Sequence, residues 1–383
     1  MPWYVLTFTQ KYYDHNVTGS ILTTNGTTAI KTNNWVGKGN NNNWNNAKNW
    51  SLGTPVNGQN LDIDLGLIKS SGGIVPSVKT NDNIKNLVVN ELIFSDPKVY
   101  NGQKDTVIIT GDTITITKAV EDTINNSIGG PDIENNFILK GSVAIDATSA
   151  NPINFDNNTV TLANNAKVLL TTVEGNLGSS LNFSTLSGNG SIVVSPGADI
   201  GFSDSSPNLS GSVTINNGAV VNLSNYTYNI GGPDNTATTP DGLGSSYITI
   251  KSGGNVEILV LGDGHSDITI ANNMSIGGNG SMYPGRNASG YMTGAVNACI
   301  ANGQVGCIGY LQGQGSPSVV TFTGSVTLLG NTQLGAVTEE SQSLWQQGDI
   351  SYTDYNFTKP LINPHSYTLS PVYGSMAQIN TSN

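Results

Sequence analysis

The sequence predicts an all-β chain whose body is a repetitive β-solenoid, and three observations point there. The first is composition. Only 11% of the 383 residues are Asp, Glu, Lys or Arg, against roughly 25% in ordinary soluble domains. Asn, Ser, Thr and 46 glycines stand in their place, residues that favour turns, caps and strand surfaces over helix interiors. The second is a recurring phrase, in which a short β-branched strand meets a small corner and then a second short strand. It reads Ser142-Val143-Ala144-Ile145; Thr159-Val160-Thr161-Leu162 before Lys167-Val168-Leu169; Ser191-Ile192-Val193-Val194 before Pro196-Gly197; Ser212-Val213-Thr214-Ile215 before Asn217-Gly218; Tyr247-Ile248-Thr249-Ile250 before Gly253-Gly254; Asp267-Ile268-Thr269-Ile270; and Ser325-Val326-Thr327-Leu328. The third is spacing: several successive starts lie about twenty residues apart, which suits one rung of a solenoid. Tandem β-sandwich domains are the alternative, because Asn-Gly is equally a hairpin turn.

Four segments follow. Residues 1–28 open with Tyr4-Val5-Leu6-Thr7-Phe8-Thr9, whose alternation predicts a strand. Such a strand closes the sheet of its own subunit or adds to a neighbour's open edge. Residues 29–104 are a Trp/Asn-rich opening region in which Trp35, Trp44 and Trp50 fall among small polar residues. Indole rings bury roughly 150 Å² or more each, so a local packing plug is expected, with a glycan-stacking platform as the alternative. Residues 105–335 are the β-repeat body. Residues 336–383 break the rhythm: Glu339 to Gln346 suit one or two helical turns, and Tyr352, Tyr355, Pro360, Pro364, Tyr367 and Tyr373 follow. That segment is expected to cap the last rung, as repeat arrays require, or to dock as a tail on another subunit.

The opening region resembles a segment of bacterial autotransporter passengers and other β-strand-repeat surface proteins, including rickettsial-type outer-membrane adhesins. The matching residues are Trp35, Gly37, Trp44, Asn45, Ala47, Asn49, Trp50, Pro55 and Asp62. The resemblance covers about thirty residues and the style of the body. It implies a passenger-like or free subunit at the cell surface, since the family's membrane barrel of alternating strands has no counterpart here.

Charge excludes several roles. The formal net charge is −11 and Arg286 is the only arginine, so the basic stripe that nucleic acid or an anionic membrane requires is missing. No apolar run is long enough for a transmembrane helix, and Met1 to Gln10 lacks the basic start and apolar stretch of a signal peptide. Cys299 and Cys307 are expected to close a small disulfide loop in an oxidising, extracellular compartment.

No enzymatic chemistry is expected. His15, His265 and His365 are scattered and form no triad or metal spacing. Gly262-Asp263-Gly264-His265-Ser266-Asp267-Ile268 is off by one residue from a calcium-binding β-roll nonapeptide and occurs once, so no cofactor is expected and calcium is the only candidate. Asp62 and Asp64 share a strand face, but glycoside hydrolysis needs a partner carboxylate at a set distance. Polysaccharide lysis needs a base beside carboxylates, which a chain with one arginine supplies poorly. Asn-x-Ser/Thr sequons recur, among them Asn49, Asn157, Asn182, Asn222 and Asn287, and are candidate glycosylation sites. The expected role is an extracellular structural subunit of a filament, sheath or surface layer that self-associates through strand edges or terminal tails. The alternatives are an adhesin that binds a host surface or glycan, and a polysaccharide-degrading solenoid.

Overall fold

A computed structural model describes residues 30–58, 60–66, 78–95, 107–123, 130–147, 152–172, 181–202, 206–224, 243–260, 267–278, 296–300, 318–335, 353–371 and 377–381. These residues form a β-solenoid of three faces. A rung begins on the first face, for example at Leu61–Asp64, turns to the second at Val78–Asp82, and enters the third with the front half of Leu87–Phe94. The back half of that strand returns to the first face one level on, where Asp62, Ile63 and Asp64 lie beside Glu91, Leu92 and Ile93. The strand pairings among the described residues are parallel, and the one antiparallel bridge there joins Trp35 to Trp50.

Corner geometry decides between solenoid and sandwich. Asn217-Gly218 joins Ser212–Ile215 to Val220–Ser224, but neither strand is the other's ladder partner. Each instead pairs in parallel with strands one rung away. The turn is therefore a solenoid corner and not a hairpin. Gly218 has φ of +74°, between Gly197 at +75° and Gly253 at +83° in the flanking rungs. Its N–H donates to Gly253 O at 2.7 Å, an approach that a stack of left-handed corners allows and that side chains would obstruct.

Alternation points every second residue inward, and register stacks like upon like. On the first face Asn33, Ile63, Leu92, Val120, Ile145, Leu170, Val194, Ile215, Ile250, Ile276 and Leu328 follow one another in register, all buried. At about 4.8 Å per step this ladder alone runs roughly 50 Å. Phe155, Phe183 and Phe202 continue the second face with stacked rings, and Leu87, Ile114, Phe137, Val160 and Leu186 line the third.

Strands on both sides of residues 105–335 join the same ladder. Leu61–Asp64, Val78–Asp82 and Leu87–Phe94 lie within the opening region, yet each is already part of a rung. At the other end Thr353–Phe357 pairs with Ser318–Phe322, Leu369–Pro371 with Val326–Gly335, and Ala377–Thr381 with Thr353–Phe357. The paired strands thus extend from Lys31–Asn34 to Ala377–Thr381, and Thr353–Phe357, Leu369–Pro371 and Ala377–Thr381 continue the ladder beyond residue 335. Successive strands here lie further apart in sequence than the twenty-residue spacing, which hides them from a periodicity search. The expected strand at Tyr4–Thr9 and the helical turns at Glu339–Gln346 lie outside the described residues.

The tryptophans close the N-terminal end. Trp35, Trp44 and Trp50 are 4%, 0% and 4% exposed. Trp50 meets Trp35 and Trp44 edge-on, with centroids 5.0 and 5.2 Å away, and its Nε1 donates to Trp44 O at 2.8 Å. The rings therefore form the packing plug, and no ring face is left to stack on a sugar. Asn49 is fully buried within the plug. Its Nδ2 donates to Asn41 O and Asn43 O and its Oδ1 accepts from Gly39 N, so its sequon is closed to glycosylation. At the outer edge of Lys31–Asn34 the last residue is engaged, since Ser51 N donates to Asn34 O and Asn34 N donates to Ser51 Oγ, while the Asn33 side chain accepts from Leu52 N and donates to Gly53 O.

Candidate functional site

The outer surface of the first face carries two files of side chains. Asp62 lies beside Glu91, followed by Ala119 and Ala144. Asp64 lies beside Ile93, followed by Glu121, Asp146 and Thr171. Carboxylates therefore stack on neighbouring rungs about 4.8 Å apart. Between Val89 and Glu91 the register slips against Ile114–Asp122. The resulting bulge re-aims Lys118, whose ammonium pairs with the Glu91 carboxylate. Asn90 Nδ2 donates to Asp62 Oδ1 at 2.9 Å, and Ser95 Oγ lies 2.7 and 2.9 Å from the two Asp64 oxygens.

The group is unusually sheltered for an outer face, with Asp62 and Glu91 only 6% and 9% exposed. Burial pushes the Asp62 carboxyl above its ordinary value, the Asn90 hydrogen bond opposes this, and the Glu91 charge adds to it. Burial also raises Glu121, with the negative charges of Glu91 and Asp146 behind it, and burial alone raises Asp146. The hydrogen bond to Glu91 raises Lys118. The result is one ammonium, paired with Glu91, near three carboxyls, Asp62, Glu121 and Asp146, whose burial favours their protonated form.

Of the residues singled out in sequence, Asp62 and Asp64 do share the outward face of one strand. Glu91, Lys118, Glu121 and Asp146 were missed. The usable signal was separation: Asp62 to Glu91 and Glu91 to Lys118 each span about one rung. His365 is exposed, with its ring 5.4 Å from Tyr367; His15 and His265 lie outside the described residues. Gly262–Ser266 of the calcium-like motif also lies outside them, while Asp267–Ile270 is a strand paired with Ser318–Phe322. Cys299 falls in the strand Val296–Ile300, but Cys307 is not among the described residues, nor therefore is the expected disulfide. Asn157 is exposed at a corner with φ of +54°. Asn182 sits in mid-strand and its Nδ2 donates to Asn154 Oδ1 at 2.8 Å. Asn222 belongs to Val220–Ser224, and Asn287 lies outside the described residues.

Among the described residues no three His, Cys, Asp or Glu side chains gather as a metal-binding group. No helix there is long and apolar enough to cross a membrane. No family model, curated protein or solved structure matches the chain.

Proposed function

We propose that the chain is an extracellular structural subunit, a stiff rod that builds a cell-surface filament, sheath or surface layer. The supporting observation is the unbroken first-face ladder from Asn33 to Leu328. Every rung rests on the one before it through parallel hydrogen bonds and a dry file of side chains, which resists bending. At the edge of Lys31–Asn34, Ser51 already takes the main chain of Asn34, which leaves Lys31 and Thr32 as the part of that edge open to strand addition. Contacts between copies are expected through such strand edges, the outer faces or the terminal segments. The test is electron microscopy of the purified chain under assembly conditions, with light scattering alongside. Ordered polymers or sheets are expected, and monodisperse monomers across salt and pH overturn the reading.

A second reading, a polysaccharide-degrading solenoid, is favoured by one feature: Lys118 beside Glu91, within reach of the charges of Asp62 and Glu121. A reducing-sugar assay over common glycans separates the two. Release abolished by Lys118→Met would establish the second reading, and no release from any glycan removes it.

A further inference from the structure

The two outward files of the first face change character halfway along the body. In one, Asp62 and Glu91 give way to Ala119 and Ala144 and then to Leu169 and Val193. Beyond them this file carries hydroxyls, at Thr214, Thr249, Ser275 and Thr327. The other file changes at the same level. Asp64, Glu121 and Asp146 lead to Thr171. Ser195, Asn216 and Lys251 then follow the stacked Val194, Ile215 and Ile250, and the N–H of each donates to the rung before. The carboxylates of both files thus lie between the levels of Asp62 and Ala144. From Leu169 onward the files hold none, and Lys251 is exposed. At the boundary Leu169 is 43% exposed, with Val193 its neighbour in register.

This division is self-complementary. A second copy can be turned end over end about a two-fold axis that runs along the strands between Leu169 and Val193. Each file then faces itself with the order of levels reversed. Leu169 of one copy meets Val193 of the other at the centre. Glu121 meets Lys251, Asp146 meets Asn216, and Asp62 meets Thr327. Each of these carboxylates faces a group that can donate a hydrogen bond, and no carboxylate faces another. Parallel pairing in register would set Asp62 on Asp62 and Glu121 on Glu121, which like-charge repulsion opposes. Levels about 4.8 Å apart and strands roughly 14 Å long give a footprint of about 650 Å² per copy, or roughly 1,300 Å² for the pair, the size of a specific contact.

We propose that the outer first face is a docking surface for a second copy of this chain, paired antiparallel with Leu169 and Val193 at the centre. The inference rests on the self-association proposed above and assigns it a face and an orientation.

The test is analytical ultracentrifugation of the full chain over a concentration series, with electron microscopy of the same samples. Leu169→Glu is expected to weaken pairing at least tenfold. Lys251→Glu and Glu121→Lys should each weaken it alone, and an equal mixture of those two chains should recover it, because both charge contacts are then of opposite sign. Leu52→Glu, at a 62% exposed residue of the N-terminal end, should leave pairing unchanged. A carbodiimide, which joins an amine directly to a carboxylate, is expected to link Lys251 to Glu121 in the unmodified chain. Those residues lie five steps, about 24 Å, apart along one file, so the link can only join two copies, and it tests the proposal even if a variant fails to fold. Association that survives Leu169→Glu, with no such link, overturns this surface and leaves the structural-subunit reading standing. A chain that stays monomeric throughout overturns both.

Discussion

Phe155 and Phe183 stack face to face on adjacent rungs, with centroids 4.8 Å apart and planes 10° from parallel. Register forces the pairing, since the two residues are direct partners in the parallel ladder. Phe183 also stacks on Phe202 at 5.7 Å, so Phe183→Ala opens a cavity between two rings in mid-body. The expected cost is about 3–5 kcal/mol, read from the denaturant midpoint. Phe183→Leu should recover more than half of it.

Glycine corners differ in how much they demand. Gly188 has φ of +96°, and a Cβ there would come within 2.0 Å of Leu162 O. Gly53 has φ of +85° with nothing within 4 Å. Gly53→Ala is expected to cost about 1 kcal/mol of backbone strain. Gly188→Ala must also push two rungs apart and should cost about 3 kcal/mol or more. Equal costs in chemical denaturation would show that steric contact between rungs plays no part.

The tryptophan plug should govern the N-terminal end alone. Trp50→Phe removes the hydrogen bond to Trp44 O and is expected to cost about 1 kcal/mol. Trp44→Ala, at a fully buried ring, should release the first rungs. Hydrogen exchange is then expected to accelerate over residues 30–66 while residues 181–224 keep their protection.

The outer-face carboxyls give a signed pH dependence. Asp62, Glu121 and Asp146 are raised above their ordinary values of 3.8, 4.5 and 3.8. The unfolded chain ionises these groups at a lower pH than the fold does. Their contribution is whole below the ordinary carboxylate range and is lost as pH climbs through the raised values. Tm is therefore expected to fall as pH rises from about 4 towards neutrality. Glu121→Gln should flatten that fall. Lys118→Met should steepen it, because Lys118 lowers both Glu121 and Asp62. A Tm that climbs steadily over the same interval would contradict the burial of these groups. Calorimetric scans across a pH series make the measurement.

Much of the fold was legible because strand alternation and corner residues are local signals. Ser191–Val194, Ser212–Ile215 and Tyr247–Ile250 are strands with the bounds their β-branched runs suggested. The first and last rungs were not legible, because their strands lie further apart in sequence, as do Asn33 and Ile63. The candidate site was half legible: Asp62 and Asp64 could be placed on one face, but not with Glu91 or Lys118. A bulge at Thr117-Lys118 fixes that meeting, and alternation alone does not reveal it.

The sequence by itself determined strand, corner and inward residue, since each depends on a few neighbouring side chains and their backbone preferences. Tertiary structure alone decided the register between rungs. Register depends on how corners of unequal length return the chain to the same face. It placed Phe183 on Phe155 and brought Glu91 beside Asp62.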